Sequence, residues 1–244
     1  MNNLLNKTVG EIVVESYKTA EVFKKYGIDF CCGGKVSLRE VCQTKNIATD
    51  EILSAIQSSK SSAETVDIFR NITASKLCEY IVEKHHQYVN ENIEIITPYA
   101  TKVARVHGER HPELVEIARL FLDVCEELNS HMFKEENILF PYIMNLENSI
   151  DSGQIQSVTP FRTVADPIRM METEHESAGE KLRLISQLSH NYQPPDDACN
   201  TYVVLLAKLE EFENDLHTHV HLENNLLFPM AQRLEEEYKN SVNV

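Results

Sequence analysis

Apolar residues recur every three or four positions along four long stretches of this chain, which is the spacing of one face of an α-helix. The stretches are 72–106, 112–147, 167–190 and 197–238. Pro112 and Pro167 stand at the start of the second and third stretches, where a missing backbone N–H costs little. The pattern predicts an all-α protein in which two helical hairpins in tandem form an up-down-up-down four-helix bundle.

Three further prolines fall inside the predicted long helices. Pro98 lies within the first helix and is expected to kink it, because proline removes a hydrogen bond and clashes with the preceding turn. Pro141 and Pro229 follow Phe140 and Phe228. We expect them to bend or loosen the last turns of the second and fourth helices.

Shorter helices are predicted before the bundle, over 8–26, 37–45 and 49–57. Thr8, with Glu11 three residues later, has the pattern of a capping box at the first of them. The polar stretch 58–62 is predicted to be a linker. We therefore expect a small helical N-terminal domain over 1–60 and a bundle domain over 68–240. About fifty residues can bury only a marginal core, so the small domain should dock on the larger one.

The charge of the chain narrows the classes of partner. Its 244 residues carry 38 acidic and 23 basic side chains, for a formal net charge of −15. Such a surface repels phosphate backbones and anionic lipids, so we expect neither nucleic acid nor a membrane as a partner. The N-terminal residues do not have the pattern of a secretion signal, and we expect a cytoplasmic protein with mostly reduced cysteines.

Six polar residues interrupt the apolar faces of the four long helices. They are His86, His131, Glu135, His175, His219 and Glu223. His131 and Glu135 lie one helical turn apart on one face, and the same pair recurs in the second half of the chain as His219 and Glu223. A buried, uncompensated carboxylate would be costly, whereas a metal ion supplies the opposite charge. The pattern therefore favours a metal centre over a buried network of His–Glu pairs.

The donor set also indicates which metal to expect. Zinc usually takes four tetrahedral ligands, and calcium takes oxygen ligands alone. Imidazole and carboxylate groups at an octahedral two-metal site suit iron, with manganese second. We expect two non-haem iron ions per chain, each with two histidines, bridged by Glu135 and Glu223 and by an oxo or hydroxo group. The sequence does not say which histidines share an iron.

The remaining histidines are predicted to lie outside the set of ligands. His217 and His221 continue a polar face of the fourth helix, which we expect to be solvated. His85 is out of phase by one residue, so we expect it on the surface, with a place directly behind a ligand as the alternative. Structural or solvent-facing roles are assigned to the histidines at helix ends, which are His107, His111 and His190.

Longer motifs carry a resemblance to a known family. The motifs are Asp29-Phe-Cys-Cys-Gly-Gly34, the blocks 131–141 and 219–229, and Met171-Glu-Thr-Glu-His175, and the likeness covers nearly the whole chain. In these motifs the chain resembles the hemerythrin-like di-iron proteins that repair iron–sulfur clusters after nitrosative and oxidative stress. The resemblance places that family's six iron ligands on the six residues named above. It also implies a cytoplasmic, often dimeric protein that helps to restore clusters in damaged or apo iron–sulfur proteins. From the exchangeable position of the di-iron centre itself we expect nitric oxide or dioxygen to bind as small ligands.

The adjacent Cys31 and Cys32 have two interpretations. A disulfide between neighbours closes a strained ring, so it would be labile and redox-responsive, and Gly33 and Gly34 would let the backbone turn and expose the thiols. The alternative is a tight turn whose cysteines are merely buried. The resemblance favours a redox or iron-transfer role. Packing roles are predicted for the other cysteines, which are Cys42, Cys78, Cys125 and Cys199.

Three functions are compatible with these residues. The first is a repair factor, rather than an enzyme, that supplies iron to damaged clusters with the help of Cys31 and Cys32. The second is an oxidoreductase that binds or reduces nitric oxide, or a carrier of dioxygen, at the di-iron centre. The third is a sensor in which the metal changes the docking of the N-terminal domain. We expect the first function, and the second is the main alternative.

Overall fold

The computed structural model describes residues 2–60, 69, 71–152 and 161–242. Within these ranges the regular structure is helical, apart from an isolated bridge between Thr8 and Ser37. The prediction of an all-α protein is confirmed. No helix in the described part of the chain is both long and apolar enough to cross a membrane.

The helices fall into an N-terminal set and four long bundle helices. The N-terminal set is α1 (Asn2–Leu5), α2 (Val9–Glu15), α3 (Thr19–Lys25), α4 (Leu38–Lys45) and α5 (Thr49–Lys60). The first bundle helix consists of α6 (Ala74–Ile81), the π-helical turn π1 (Val82–His86) and α7 (Gln87–His107). The second consists of α8 (Glu113–Lys134), π2 (Glu135–Leu139) and α9 (Phe140–Ser152). The third is α10 (Ala165–Leu188), and the fourth consists of α11 (Asn200–Leu222), π3 (Glu223–Leu227) and α12 (Phe228–Val242).

These four helices match the predicted ones to within a few residues at each end. They pack side by side in the order third, second, first, fourth: α8 lies against both α7 and α10, and α11 lies against α7. At the other end of the bundle, α9 lies against α12 and α6. The four-helix bundle predicted from the apolar spacing is therefore confirmed.

The predicted helix over 8–26 is wrong in one respect, because the structure divides it into α2 and α3. The start is as predicted: Thr8 Oγ1 accepts a hydrogen bond from the Glu11 N–H at 3.2 Å, and Glu11 accepts one from the Thr8 N–H at 2.8 Å. The helix then ends before Ser16, whose backbone is extended. The Thr19 hydroxyl donates to the Ser16 carbonyl at 2.7 Å. Side-chain bonds of this kind compete with the helical ladder.

The predicted linker over 58–62 is wrong in its first part. Residues 58–60 complete α5. The hydroxyls of Ser58 and Ser59 donate to carbonyls of the preceding turn at 2.9 and 2.8 Å. A serine that bonds back to its own helix is accommodated there, which a count of polar residues does not reveal. Ser61 and Ser62 lie outside the described residues.

Both hairpins of the bundle use a glutamate to fix the start of a helix. In the first hairpin the Glu147 carboxylate accepts N–H bonds from Ala74 and Ser75, each at 2.9 Å. In the second hairpin Glu235 accepts an N–H bond from Val164 at 2.7 Å. A carboxylate at the positive end of a helix satisfies N–H groups that have no partner within the helix. Each glutamate therefore links the last helix of its hairpin to the start of the first helix of the same hairpin.

Two apolar clusters fill the interior, and the six candidate ligands lie between them. One cluster joins the N-terminal helices to α7, α8, α10 and α11 and includes Phe23, Phe121 and Phe212. The other fills the end formed by α6, α9 and α12 and includes Phe140 and Phe228. Along each bundle helix, residues of one cluster precede the candidate ligand and residues of the other follow it. The N-terminal helices thus dock on the bundle, as we expect from their small size.

The prolines near the ends of the second and fourth helices do not loosen them, and this prediction is wrong. Both α9 and α12 continue well beyond Pro141 and Pro229. The irregularity lies in π2 and π3, where the residue before each proline donates its N–H to the carbonyl of Glu135 or Glu223. These bonds reach five residues back, so each π turn holds one residue more than an α turn. The helix also continues through Pro98, where the kink stays a prediction.

Candidate metal centre

The structure brings all six candidate ligands into one buried layer of the bundle. Each of them is at most 2% exposed. They form two groups, one of His86, Glu135, His219 and Glu223 and the other of His131, Glu135, His175 and Glu223. Within each group the donor atoms lie within 4.8 Å of one another. Both glutamates belong to both groups, so four histidines surround two shared carboxylates.

The glutamates lie between the two groups of histidines. Glu223 Oε1 lies 2.9 Å from His219 Nε2, and Glu223 Oε2 lies 3.0 Å from His175 Nε2. Glu135 Oε2 lies 3.3 Å from the Nε2 atoms of both His86 and His131. The Nε2 atom of every histidine therefore faces a shared carboxylate. Such an arrangement can hold two cations with both carboxylates between them.

Buried polar atoms at the centre have no hydrogen-bond partner in the described part of the chain. They include His86 Nε2 and both carboxylate oxygens of Glu135. Buried carboxylates destabilise a fold unless a positive charge compensates them. Imidazole and carboxylate donors in this arrangement suit a transition-metal ion. The residues present therefore fit the kind of metal that the sequence pattern predicts.

The charged groups of the centre shift each other's pKa. Burial opposes ionisation of Glu223, but the nearby His219 and His175 outweigh burial and hold the pKa of Glu223 well below its ordinary value. Burial also opposes the charged form of His131, yet the charge and hydrogen bond of Glu135 raise the pKa of His131 to about 10. For His219 burial dominates and lowers the pKa. Ionised glutamates give the centre an affinity for cations.

Three of the four histidines also have a partner at the outer ring nitrogen. The Nδ1 atoms of His86, His131 and His175 lie 2.7 Å from Glu136 Oε1, 2.9 Å from Glu174 Oε2 and 3.0 Å from Asn224 Oδ1, respectively. An acceptor at Nδ1 fixes the tautomer that leaves Nε2 free for a metal. Glu136, Glu174 and Asn224 are not predicted from the sequence pattern. Their only signal is that each is the chain neighbour of a candidate ligand.

The π turns change which residues face the centre. His85 is 5% exposed, lies 3.0 Å from Asp215 and stacks on His219 with ring centroids 5.5 Å apart. The expected surface position of His85 is therefore wrong, and the residue lies behind the candidate ligand His219, which was the alternative. Ile138 is 42% exposed, although regular spacing puts it on the apolar face, and Leu139 is buried instead. The extra residue of each π turn shifts the helical phase. This shift accounts for the burial of His85 and for the burial of Leu139 in place of Ile138.

The prediction that His217 and His221 lie on a solvated face is wrong. His221 is buried, with its ring 5.8 Å from the Phe30 ring and its Nδ1 3.0 Å from the Asn225 amide. His217 is half-buried and packs against the same phenyl ring. Burial lowers the pKa of His221 to about 4, so this ring is neutral at pH 7. The N-terminal residues around Phe30 cover this face of α11, which the spacing within a single helix cannot show.

Residues 29–34, here called the thiol loop, lie against π3. Cys31 is buried and Cys32 is half-buried; both are free, with their sulfur atoms 4.0 Å apart. Asp29 Oδ1 accepts N–H bonds from Cys31 at 2.9 Å and Cys32 at 3.0 Å. The hydrogen bond to Cys32, burial and the Asp29 charge raise the pKa of the Cys31 thiol well above its ordinary value. The expectation of exposed thiols is therefore wrong for Cys31.

The two glycines of the thiol loop allow close packing. A Cβ atom at residue 34 would lie 2.6 Å from Asn225 Oδ1 and 2.7 Å from the Phe30 carbonyl oxygen. A Cβ atom at residue 33 would lie 3.0 Å from the Asp29 carbonyl oxygen. Glycine therefore lets the loop backbone press against π3 and turn tightly on itself.

The four remaining cysteines do not share one role. Cys42, Cys78 and Cys125 are buried, as predicted for packing residues. The prediction is wrong for Cys199, which is exposed and occupies the position before α11. Its sulfur lies 3.2 Å from His107 Nε2.

Two families of known proteins match this chain, one over the N-terminal helices and one over the bundle. The family described as hemerythrin HHE cation binding domain matches residues 79–231, and a domain of unknown function, DUF542, matches residues 5–60. Relatives named iron-sulfur cluster repair protein YtfE come from Yersinia pseudotuberculosis serotype IB (strain PB1/+) and Yersinia pestis (strain Pestoides F). Each is 36% identical to this chain over 233 residues, which cover 94% of this chain and 98% of the relative.

The resemblance inferred from the motifs is thereby confirmed. The identity extends over both the N-terminal helices and the bundle, so it does not depend on the bundle alone. The matched domain is described as cation-binding, and the two groups of buried donor atoms lie inside it. The chain therefore belongs to the family of iron–sulfur cluster repair protein YtfE and carries a hemerythrin HHE cation-binding domain.

Proposed function

We propose that this protein repairs damaged iron–sulfur clusters and that its buried centre holds two iron ions. The observation that carries the proposal is the pair of donor groups that share both glutamates. The relatives that are similar over almost the whole chain are named as cluster repair proteins, which supports the same function. When bound, two iron ions would supply redox chemistry and a source of iron.

The distances support one division of the histidines between the ions. His86 and His219 would hold one ion, and His131 and His175 the other, because their Nε2 atoms belong to separate donor groups. Glu223 offers one oxygen to each group, and Glu135 lies between His86 and His131. This division is our proposal for the pairing that the sequence leaves open.

The chain's own residues prepare the centre for this role. The apolar clusters on both sides exclude water from the ligands, which strengthens the attraction between the carboxylates and a cation. Glu136, Glu174 and Asn224 hold three imidazole rings in the orientation that leaves Nε2 free. Histidine ligands and only two carboxylates suit a centre that binds iron but also releases it to a damaged or apo iron–sulfur protein.

The metal centre is tested by metal content and Mössbauer spectroscopy of anaerobically purified protein. We expect two coupled iron ions per chain in the wild type, and the loss of at least one of them in Glu223→Ala and in Glu135→Ala. His217→Ala is the matched control, because His217 lies on the same helix but outside both donor groups. Zinc alone in the wild type, or equal metal loss in His217→Ala, would contradict the proposed centre.

Repair is tested with an enzyme whose iron–sulfur cluster has been damaged by nitric oxide. We expect the iron-loaded protein to restore its activity faster than the same concentration of free ferrous iron, and Glu223→Ala protein to show no such advantage. A wild-type protein that holds two irons but repairs no faster than free iron would refute the repair function. Catalytic consumption of nitric oxide with an electron donor would support the oxidoreductase instead. The cytoplasmic location, the homodimer and the transfer role of Cys31 and Cys32 stay predictions.

A further inference from the structure

The thiol loop brings three side chains that can bind a metal together, outside the proposed iron centre. Cys31 Sγ lies 4.0 Å from Cys32 Sγ and 3.1 Å from Asp29 Oδ1. One donor atom from each of the three side chains lies within 4.8 Å of the other two. In the described part of the chain, this is the one such group that contains sulfur, and it shares no residue with the six candidate ligands.

The distances between these atoms are close to those of a tetrahedral metal site. Metal–sulfur bonds of about 2.3 Å and metal–oxygen bonds of about 2.1 Å place two sulfur ligands about 3.8 Å apart, and a sulfur and an oxygen ligand about 3.6 Å apart. The two sulfur atoms of the loop, 4.0 Å apart, nearly match the first distance. The distance of 3.1 Å between Cys31 Sγ and Asp29 Oδ1 would lengthen by about half an ångström when an ion replaces the thiol proton between the two atoms. Small adjustments therefore suffice for all three side chains to bind one ion.

The backbone of the thiol loop holds the three side chains in place. Asp29 Oδ1 accepts N–H bonds from Cys31 at 2.9 Å and from Cys32 at 3.0 Å, which fixes the orientation of the carboxylate. The side-chain amide of Asn225 donates to the Phe30 carbonyl at 3.1 Å and ties the loop to π3. Ligands that are already oriented lose less conformational freedom when they bind an ion.

The three groups become negatively charged when they ionise, and they lie too close together to do so without compensation. The hydrogen bond to Cys32, burial and the charge of Asp29 raise the pKa of the Cys31 thiol well above its ordinary value. A divalent cation reverses this balance, because it attracts both thiolates and the carboxylate. The two thiol protons pass to the solvent as the ion binds.

A cleft of about 750 Å³ gives access to this group of side chains. Asp29 and both cysteines line it, together with α10 on the opposite side. Gly179 lies within α10, and a Cβ atom added there would lie 3.9 Å from Cys32 Sγ. Glycine within a helix is less stable than alanine, and here it leaves the space beside the sulfur open. A fourth ligand position on a bound ion can therefore face the cleft, where water or a donor atom of another molecule can occupy it.

We propose that Asp29, Cys31 and Cys32 form a third cation site, which takes a thiophilic divalent cation such as ferrous iron or zinc and leaves one ligand position open to the cleft. Two thiolate ligands favour these ions over magnesium and calcium, which prefer oxygen ligands alone. Three protein ligands with an open fourth position are typical of a site that exchanges ligands, whereas structural sites are closed by four. The cation site does not require the proposed iron centre, because the two share no ligand.

The test is a titration of the reduced, iron-loaded, full-length protein with cobalt(II) under anaerobic conditions, followed by absorption spectroscopy. Cobalt bound to thiolates gives a sulfur-to-metal charge-transfer band, whose intensity increases with the number of thiolate ligands. The six candidate ligands of the iron centre contain no sulfur, so cobalt bound there gives no such band. We expect a single cobalt ion per chain with the band intensity of two thiolates. Zinc should displace this ion, and magnesium should not.

Three variants separate the ligands from their surroundings. In Cys32→Ser the band intensity per bound ion should fall by about half, and cobalt affinity should fall by more than the roughly 10-fold to 100-fold that an outer partner of a ligand contributes. Asp29→Asn keeps an oxygen that accepts the two N–H bonds, so the loop keeps its fold. Its band should keep the intensity of two thiolates while its affinity falls. Cys199→Ser is the matched control, because Cys199 is exposed and lies 3.2 Å from His107 Nε2, and this variant should bind cobalt like the wild type.

The proposal is overturned if the wild type shows no charge-transfer band at saturating cobalt. It is also overturned if Cys32→Ser keeps the full band, or if Cys199→Ser abolishes it. An affinity of Asp29→Asn equal to that of the wild type would remove the carboxylate from the site. A protein that shows the band but holds no iron would refute the proposed iron centre and leave the cation site intact. A protein that holds two irons and shows no band would do the reverse.

Discussion

Around the proposed metal centre, the imidazole rings differ in how their outer nitrogens are held. His86, His131 and His175 each have a polar partner at Nδ1. His219 Nδ1 is buried and has no hydrogen-bond partner among the described residues, and its ring instead stacks on His85. A partner at the outer nitrogen orients a ligand and strengthens its bond to a metal. We therefore expect the ion held by His86 and His219 to be the first to leave.

Glu174, whose carboxylate contacts His131 Nδ1, gives a prediction for a single residue. Replacing Glu174 by alanine removes the acceptor at Nδ1, so metal affinity should fall by about 10-fold to 100-fold. Competition with a chelator of known affinity measures the change. Glu172→Ala is the control, because Glu172 lies on the same helix but pairs with Lys35. Equal affinities of the two variants would show that Glu174 does not support the centre.

Some residues of the candidate centre could be predicted from the sequence and others could not. The six candidate ligands could be found because a His or Glu on an apolar face is conspicuous. Glu174 and Glu136 could not be found in this way, since each lies on a partly exposed position where a charged residue is ordinary. Asn224 could not be found either, because its place next to Glu223 is the only sign of it in the sequence. Its role depends on the N-terminal residues that pack over it, and helical spacing carries no information about them.

At the scale of elements, the position of each long helix could be predicted but its internal irregularity could not. Periodicity analysis assumes a constant rotation per residue, and a π turn breaks that assumption over five residues. The error then appears just beyond the turn, as in the exposed Ile138 and the buried Leu139. The π turns lie at His86, Glu135 and Glu223, so the irregularity of the helices coincides with the centre.

The glutamate that ties the fourth helix to the third gives a stability prediction. Glu235 is 6% exposed and accepts bonds from the Val164 N–H, the Thr163 hydroxyl and the Tyr142 hydroxyl. Glu235→Ala should lower the free energy of unfolding by about 1–3 kcal/mol, because a buried N–H loses its charged acceptor. Urea denaturation measures the difference.

The exposed neighbour Glu236 provides the control for that measurement. Glu236→Ala keeps the helix length and changes the net charge by the same amount. Its free energy of unfolding should stay within about 0.5 kcal/mol of the wild type. If both variants lost the same stability, the effect would come from net charge and not from the capping bond.

A histidine at the start of the second bundle helix gives a pH-dependent prediction. His111 Nε2 lies 3.0 Å from Asp197, in the connection before the fourth helix, and this hydrogen bond raises the pKa of His111. A raised pKa means that the pair stabilises the fold fully below the unfolded value of about 6.5 and that this contribution disappears as pH rises through the folded pKa. The melting temperatures of wild type and His111→Gln should therefore differ at pH 6 and converge toward pH 9. The difference should shrink at pH 6 when Asp197→Asn is already present.

At the scale of the whole molecule, the N-terminal helices and the bundle share one continuous apolar cluster. The small size of the N-terminal segment predicted that it would dock, because so short a chain cannot bury enough apolar surface alone. The sequence could not predict the docking face. Phe30 covers His221 there, and hydrogen bonds from Asn225 hold the loop backbone. A division into domains over 1–60 and 68–240 stays a prediction.

The position of the proposed centre between the two apolar clusters makes metal removal a test of the whole fold. Glu135 and Glu223 are fully buried, and without a cation their like charges repel in a medium of low polarity. A metal that binds only the folded state stabilises it by about 2.7 kcal/mol at a free concentration 100 times its dissociation constant. For a chain of this size that corresponds to a rise in melting temperature of about 5–10 °C.

Differential scanning calorimetry of the chelated and the iron-loaded protein measures this shift. In His175→Ala we expect the shift to become smaller, because the proposed centre would lose a ligand and bind iron more weakly. The metal-free form of that variant should melt no higher than the metal-free wild type, since Glu223 loses the imidazole 3.0 Å from its Oε2 and a cavity is left behind. If chelation leaves the melting temperature of the wild type unchanged, the six buried residues form a polar network that needs no metal.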